Sequence, residues 1–320
     1  MKYTMFLALA VLALTGCGGG PHHQPSEKYY LVCANPKIPY WQEAGAGLVK
    51  AATELNVQAE LIGPDVYDAK SELAEFKRIM ANKPAGILIS PGDSTVLRPE
   101  IDAAVAAGVP VITVDSDAPQ SQRLFFIGTN NYQAGQMGGA LLAKLLNGKG
   151  NVVFYTIANQ KNLEERLDGY RAALAASPGI KVTQIIDMKG DARVAFDTTT
   201  DLVDKKTAVD AFVSLESLSG SEIAEVLERK KVDGKIILAM DTAASTLGWI
   251  EKGKIAATLM QKPYTMGYYG LKTLAGIVLE KQSASGSGKP NAADPKAPFP
   301  VFMDTGTMLV DKTNVAQVKH

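Results

Sequence analysis

The chain has 320 residues, and its 33 basic and 33 acidic side chains cancel, with no basic cluster interleaved with aromatics; nucleic acid is excluded as an expected partner. Its three histidines, His22, His23 and His320, sit at the two ends, which removes Ser-His-Asp and Cys-His nucleophiles, histidine zinc sites and the commonest general base from the body between them. No phosphate loop of the G-x-x-x-x-G-K-[ST] kind and no G-x-S-x-G elbow occurs, so no cofactor or metal is expected and only paired carboxylates remain as a route to catalysis.

At the start of the chain, Lys2, an apolar core from Met5 to Leu14 and small residues after it have the layout of a secretory signal. As a helix that core would be about 15 Å long, half the roughly 30 Å of a bilayer interior, and so too short for a permanent span. Leu14-Thr15-Gly16-Cys17 resembles a bacterial lipobox. The likeness implies a signal peptide over 1–16, cleavage before Cys17 and a diacylglycerol thioether on the Cys17 sulfur, a bond only a thiol makes. The alternative is an ordinary signal peptide that happens to contain a cysteine. Gly18 to Ser26 have no apolar period, and residues 17–27 read as a flexible tether. The protein is therefore expected to be exported and held at a membrane by its lipid. Cys33, the one remaining cysteine, falls in an apolar run and reads as a buried small hydrophobe.

From Tyr29 short apolar runs alternate with stretches of helical period, which predicts a parallel sheet covered by helices on both faces. Strands are expected at Tyr29 to Cys33, Val57 to Ile62, Gly86 to Ile89, Val111 to Val114 and Phe125 to Ile127, with helices from about Trp41 to Leu55, Asp68 to Met80, Thr95 to Ala107 and Tyr132 to Leu146. A second series follows. Its strands fall at Asn151 to Tyr155, Val182 to Asp187, Ala211 to Ser214, Ile236 to Ala239 and Ala257 to Met260, and its helices near Leu163 to Ala176, Ala195 to Lys206, Ser221 to Lys230, Ser245 to Lys252 and Tyr264 to Glu280. Ser283 to Pro298, rich in Ser, Gly, Lys and Pro, reads as an exposed loop before two last strand-like runs, Val301 to Met303 and Thr307 to Val310. Two successive series and roughly 300 mature residues suit two similar lobes.

Several segments in this order resemble the type I periplasmic sugar-binding proteins of ABC importers, the ribose-binding pattern most of all. They are Ile38-Pro39-Tyr40-Trp41, Gly108 to Asp115, Ile127-Gly128-Thr129-Asn130-Asn131, Arg166 to Tyr170, Asp241 after Ile237 to Met240, Ala256 to Gln261, and Asp304-Thr305-Gly306. The resemblance covers nearly the whole mature chain. It implies an α/β fold of two doubly wound parallel-sheet lobes joined by a three-crossing hinge, with a ligand held between them. The lobes would comprise 28–127 plus about 262–302, and 128–261 plus about 303–320. Hinge positions would be Gly128 and Thr129, Met260 to Lys262, and a third crossing between Phe302 and Gly306.

Carried over residue by residue, the resemblance implies Asp115, Arg166, Asp241 and Gln261 as hydrogen-bonding ligand contacts, and Tyr40 and Trp41 as rings stacking on a sugar. These residue types suit a sugar, whose hydroxyls both donate and accept and whose C–H faces are mildly apolar. Each also has a structural reading: a turn or cap at Asp115, a solvated helix arginine at Arg166, a helix cap at Asp241, core packing for Tyr40 or Trp41. The chain departs from the ribose-binding pattern at Ala34, Ile38, Ser116 and Leu215, with Asn35, Asp191 and Glu216 as candidate replacement contacts. Ribose hydroxyls left unpaired would cost about 1 to 3 kcal/mol each, so ribose itself is disfavoured and another small sugar or polyol is expected. The leading expectation is a non-enzymatic, monomeric binding protein that delivers its ligand to ABC permease membrane subunits. The alternatives are a sugar sensor feeding a chemoreceptor or sensor kinase and, more remotely, an exported carboxylate-pair glycosidase.

Overall fold

Runs such as Gly86-Ile87-Leu88-Ile89 and Val111-Ile112-Thr113-Val114 place apolar or β-branched side chains on both faces of a strand, and such runs are stable only between two helical layers. The computed structural model, which describes residues 22–283 and 299–318, sets them in that position. The first half of the chain gives β1 (Lys28–Cys33), α1 (Pro39–Leu55), β2 (Gln58–Ile62), α2 (Ala69–Met80), β3 (Gly86–Ser90), α3 (Ser94–Ala106), β4 (Val111–Val114) and β5 (Phe126–Gly128). The second half gives α4 (Asn131–Leu145), β6 (Lys149–Thr156), α5 (Lys161–Leu174), β7 (Gly179–Asp187), α6 (Ala192–Asp204), β8 (Ala211–Ser214), α7 (Ser219–Arg229), β9 (Ile236–Met240), α8 (Ala244–Glu251), β10 (Ala257–Met260) and α9 (Pro263–Ser283), then β11 (Phe302–Asp304) and β12 (Met308–Asp311).

The strands form two six-stranded sheets, ordered β11-β5-β4-β3-β1-β2 and β12-β10-β9-β8-β6-β7. All the pairings are parallel except that of β10 with β12. Alternation along β1 sorts the first core. Tyr29, Leu31 and Cys33 face α1 and α9, whereas Tyr30 and Val32 face α2 and α3. Cys33 is fully buried and free, and burial pushes its thiol well above the usual range. Helix starts follow their capping residues: Asp68 accepts from Ser71 N at 2.8 Å, Asp93 from Thr95 N at 2.9 Å and Asn130 from Gln133 N at 3.1 Å.

The chain passes between the sheets after β5, after β10 and between Asp304 and Met308. The last passage corrects the expected boundary near 303, because β11 keeps Met303 and Asp304 in the first sheet, opposite Ile127 and Gly128. The crossings are bonded to one another. Thr305 N donates to Gly128 O at 2.8 Å, Asp304 Oδ1 accepts from Asn130 N at 3.2 Å, and Thr129 Oγ1 donates to Gln261 Oε1 at 2.8 Å.

A second correction concerns the tether. Gln24 to Glu27 form a turn in which Glu27 is buried, with His23 Nδ1 2.8 Å from its carboxylate and the Tyr29 hydroxyl at 3.0 Å; Gln58 Nε2 donates to Pro25 O at 3.0 Å. The end of the expected tether is therefore docked on the first lobe. Cys17, the expected signal peptide and all but the first residue of the expected loop from Ser283 to Pro298 lie outside the described residues.

Candidate ligand-binding site

Strand ends gather the polar side chains. In open α/β sheets the carboxyl ends of neighbouring strands face a crevice, and here two such crevices face each other. Asp115 follows β4, Glu216 follows β8 and Asp241 follows β9, while Gln261 follows β10 at the second crossing. All four are buried and line one cavity of about 60 Å3 between the lobes, together with Asn35, Tyr40, Trp41 and Arg166. Eight of the nine ligand-contact positions read from the sequence are thus brought together. The ninth, Asp191, is not: it is the exposed N-cap of α6, accepting from Arg193 N at 2.9 Å, and its neighbour Gly190 lines the cavity instead.

Arg166 is the centre of the polar network. It is 1% exposed, and its guanidinium donates to Asn131 Oδ1 at 2.6 Å, to Gln261 Oε1 at 3.1 Å and to the Leu215 carbonyl, leaving Nε without a partner. Gln261 passes the network on, its Nε2 donating to Asp241 Oδ1 at 3.1 Å. Because Gln261 Oε1 also accepts from Thr129, one amide ties two crossings to the site. On the first lobe, Asp115 Oδ1 accepts from the Tyr40 hydroxyl at 2.5 Å. Its Oδ2 accepts from Asn162 Nδ2, across the cleft, at 3.1 Å.

Burial without full compensation raises the carboxyls. Asp241 is pushed from 3.8 up to about 7 by desolvation, which the Arg166 charge and the Gln261 amide only partly offset. Asp115 and Glu216 are raised for the same reason. Glu216 is also a helix cap: its carboxylate accepts from Leu218 N at 2.6 Å and from Ser219 N at 3.2 Å at the start of α7, where the helix dipole favours negative charge. Trp41 is 7% exposed and lies edge-on to Tyr40, with ring centroids 5.2 Å apart. Asn35 Oδ1 accepts from Lys37 N at 3.2 Å, which fixes the turn before α1.

Several lining residues escape the sequence reading, among them Asn162, Gln160 and Tyr67. Asn162 sits one turn ahead of Arg166 on α5, and that four-residue spacing was a usable signal. Gln160 is the residue before α5, where a cap is expected but makes no side-chain cap bond. Tyr67 lies in the connection before α2 and carries no local signal. Its hydroxyl donates to Gly92 O at 2.9 Å, and its ring packs so closely on Gly190 of the other lobe that a Cβ there would overlap it.

This is the chemistry of a binding cleft: carboxylates and amides that accept and donate, one guanidinium, an indole face, and walls from two bodies joined by three crossings. The comparisons agree. Residues 29–282 match the family described as periplasmic binding protein domain, and the chain belongs to the type I periplasmic sugar-binding proteins. Over 275 residues it is 26% identical to the ribose import binding protein RbsB of Haemophilus influenzae, covering 85% of this chain and 92% of that one. Against the D-allose-binding periplasmic protein of Escherichia coli it is 23% identical, over 77% and 83% of the two chains. Among solved structures, AraP, an arabinose-binding protein from Geobacillus stearothermophilus, aligns at 32% identity and a TM-score of 0.74, covering 92% of this chain and all of that one. GanP, a glucose-galactose binding protein from the same organism, aligns at 28% identity and a TM-score of 0.81 over 90% and 98%.

Proposed function

We propose that this protein captures a small sugar or polyol in the cleft between its lobes and delivers it to an ABC permease, held at the membrane by a lipid on Cys17. The observation that carries the reading is the pair of strand-end aspartates, Asp115 and Asp241, buried in one cavity with Arg166 and Trp41. Carboxylates accept from ligand hydroxyls, the free Arg166 Nε–H donates to a ring or hydroxyl oxygen, and Trp41 covers a C–H face. The names of the relatives, which bind ribose, allose, arabinose or glucose and galactose, support a monosaccharide-sized ring.

The mechanism follows from where the contacts originate. Tyr40, Trp41 and Asp115 belong to one lobe and Arg166, Glu216 and Asp241 to the other, so a ligand that bonds both sets stabilises the closed arrangement by its differential affinity for it. Closure bends the three crossings, and Gln261 and Thr129 place the ligand network directly on two of them. A dissociation constant near 1 μM, about 8 kcal/mol, is within reach of charge-assisted bonds plus stacking.

The test is a thermal-shift and calorimetric screen of the chain without its first 17 residues against pentoses, hexoses, deoxysugars and polyols. Saturable binding of one sugar, lost in Arg166→Ala and Asp241→Ala, is the expected result. Silence toward every sugar, with binding of another compound class, would overturn it. For the anchor, Cys17→Ser in the full-length chain is expected to abolish incorporation of labelled fatty acid and to release the protein from membranes; retention of label would sink that part alone.

A further inference from the structure

The inner cavity, about 60 Å3, is small for a ligand site, since pockets for small molecules usually begin near 300 Å3. It does not end blindly. Tyr40, Ser217, Leu218, Asp241 and Gln261 also line a second chamber of about 220 Å3. On one wall stand Pro39, Glu43 and Pro263, from the starts of α1 and α9, and on the other the first turns of α7 and α8. The lobes touch where Tyr67 meets Gly190 and where Asn162 reaches Asp115, yet on the chamber side they stay apart. The lobes thus meet at one end of the cleft, and at the other the second chamber adjoins the inner cavity across the shared walls of Tyr40, Asp241 and Gln261.

The chamber wall is built for a hydroxylated guest. Its lining includes the hydroxyl-bearing residues Ser217, Ser221, Thr242 and Ser245 and the acidic residues Glu43 and Glu222. Ser221 and Ser245 already bond each other at 2.9 Å, which holds the starts of α7 and α8 at a fixed spacing. The pyrrolidine rings of Pro39 and Pro263 supply the apolar patches on which a sugar's C–H face rests. Inner cavity and chamber together approach the size of an ordinary small-molecule pocket.

We infer that this site takes a ligand of two linked units, one ring bound between Asp115, Trp41 and Arg166 and a second hydroxylated unit, a glycosidically linked sugar, passing Asp241 and Gln261 into the outer chamber. The inference rests on the binding reading above and narrows its substrate class from a single sugar to a disaccharide or comparable glycoside.

Calorimetry on the protein without its expected signal peptide, with each monosaccharide paired against disaccharides that contain it, decides the matter: arabinose with arabinobiose, xylose with xylobiose, glucose with maltose and cellobiose, galactose with lactose and melibiose. One disaccharide is expected to bind at least tenfold tighter than its component units. Ser245→Trp, at an exposed position on the chamber wall, is expected to remove that advantage while leaving the monosaccharide constant within twofold. A monosaccharide that binds while all its disaccharides are excluded would overturn the two-unit ligand and leave the inner site standing. So would a disaccharide whose affinity Ser245→Trp does not change. Absence of binding by sugars of either size would overturn both readings.

Discussion

β4 and β9 hold the same place in their sheets, third from the crossing edge, and each ends on an aspartate with a left-handed backbone, φ 63° at Asp115 and 64° at Asp241. Each aspartate donates its N–H to the next strand, Asp115 to Ile127 O at 3.0 Å and Asp241 to Leu259 O at 2.9 Å. Aspartate tolerates that conformation better than most residues, so both strand ends adopt it without a glycine. The side chains are treated differently. Asp115 accepts from Tyr40 and Asn162, while Asp241 has one amide donor and otherwise depends on the charge of Arg166. The lobes therefore share a frame and divide the work: the first presents a satisfied carboxylate and aromatic faces, the second a charge cluster balanced on one guanidinium.

Breaking that balance should give the largest effect. Arg166→Ala leaves Gln261 Oε1, Asn131 Oδ1 and the Leu215 carbonyl without their common buried donor and Asp241 without the positive charge beside it, and is expected to cost about 3 to 5 kcal/mol of unfolding free energy and more than 100-fold in ligand affinity. Tyr40→Phe removes one of several donors to Asp115. It is expected to cost about 1 kcal/mol and near tenfold in affinity. Chemical denaturation and calorimetry on both variants check the contrast, and equal losses would mean that the second lobe is no more dependent on a single group than the first.

The helix layers offer a finer version of the comparison. α1 crosses α9 through Gly47 and Gly267, and α5 crosses α4 through Gly169 and Gly135; a Cβ on any of the four would meet a backbone carbonyl of the opposite helix. Gly47→Ala and Gly135→Ala are each expected to destabilise by about 1 to 3 kcal/mol through forced separation. Only the second should also weaken the ligand, because the carbonyl it displaces is that of Arg166. Matching affinities in the two variants would refute the coupling between helix packing and the site.

Much of this was legible in the chain. The elements were readable because both-faces-buried strands and capped helices leave strong local patterns, as at Val111–Val114 and after Asp93. Asp115 and Asp241 were singled out by the family resemblance; strand prediction alone put them at strand ends, where a turn or helix cap was the competing reading. Two kinds of feature were not legible. Asp191 is a helix cap whose sequence environment looks like that of a site residue, and cap and ligand contact differ only in where the turn points. Tyr67 acts across the gap between lobes, and nothing local in a sequence encodes which loop of one body will meet the other.

The last predictions concern protons, and here each lobe holds one test. Glu72 on α2 is fully buried, with Oε2 accepting from Gly92 N at 2.9 Å and Oε1 unpartnered, and burial pushes it from 4.5 up to about 8; Asp241 is pushed up to about 7. A carboxyl with a raised folded value holds its proton more tightly folded than unfolded. Its contribution is fully present below the unfolded value and is lost as pH rises through the folded one, so the ligand-free protein should weaken from about pH 4 to about pH 8 on account of these groups. Glu72→Gln and Asp241→Asn stay neutral across that range. Each is expected to match the parent at pH 4 and to exceed it at pH 8, by at most about 4 kcal/mol, the limit set by ~1.4 kcal/mol per unit of raised value. The windows separate the lobes, since the Asp241→Asn advantage should level off above pH 7 while that of Glu72→Gln is still growing. Adding ligand should then shrink the Asp241 window and leave the Glu72 one untouched, because only Asp241 gains a partner in the cleft.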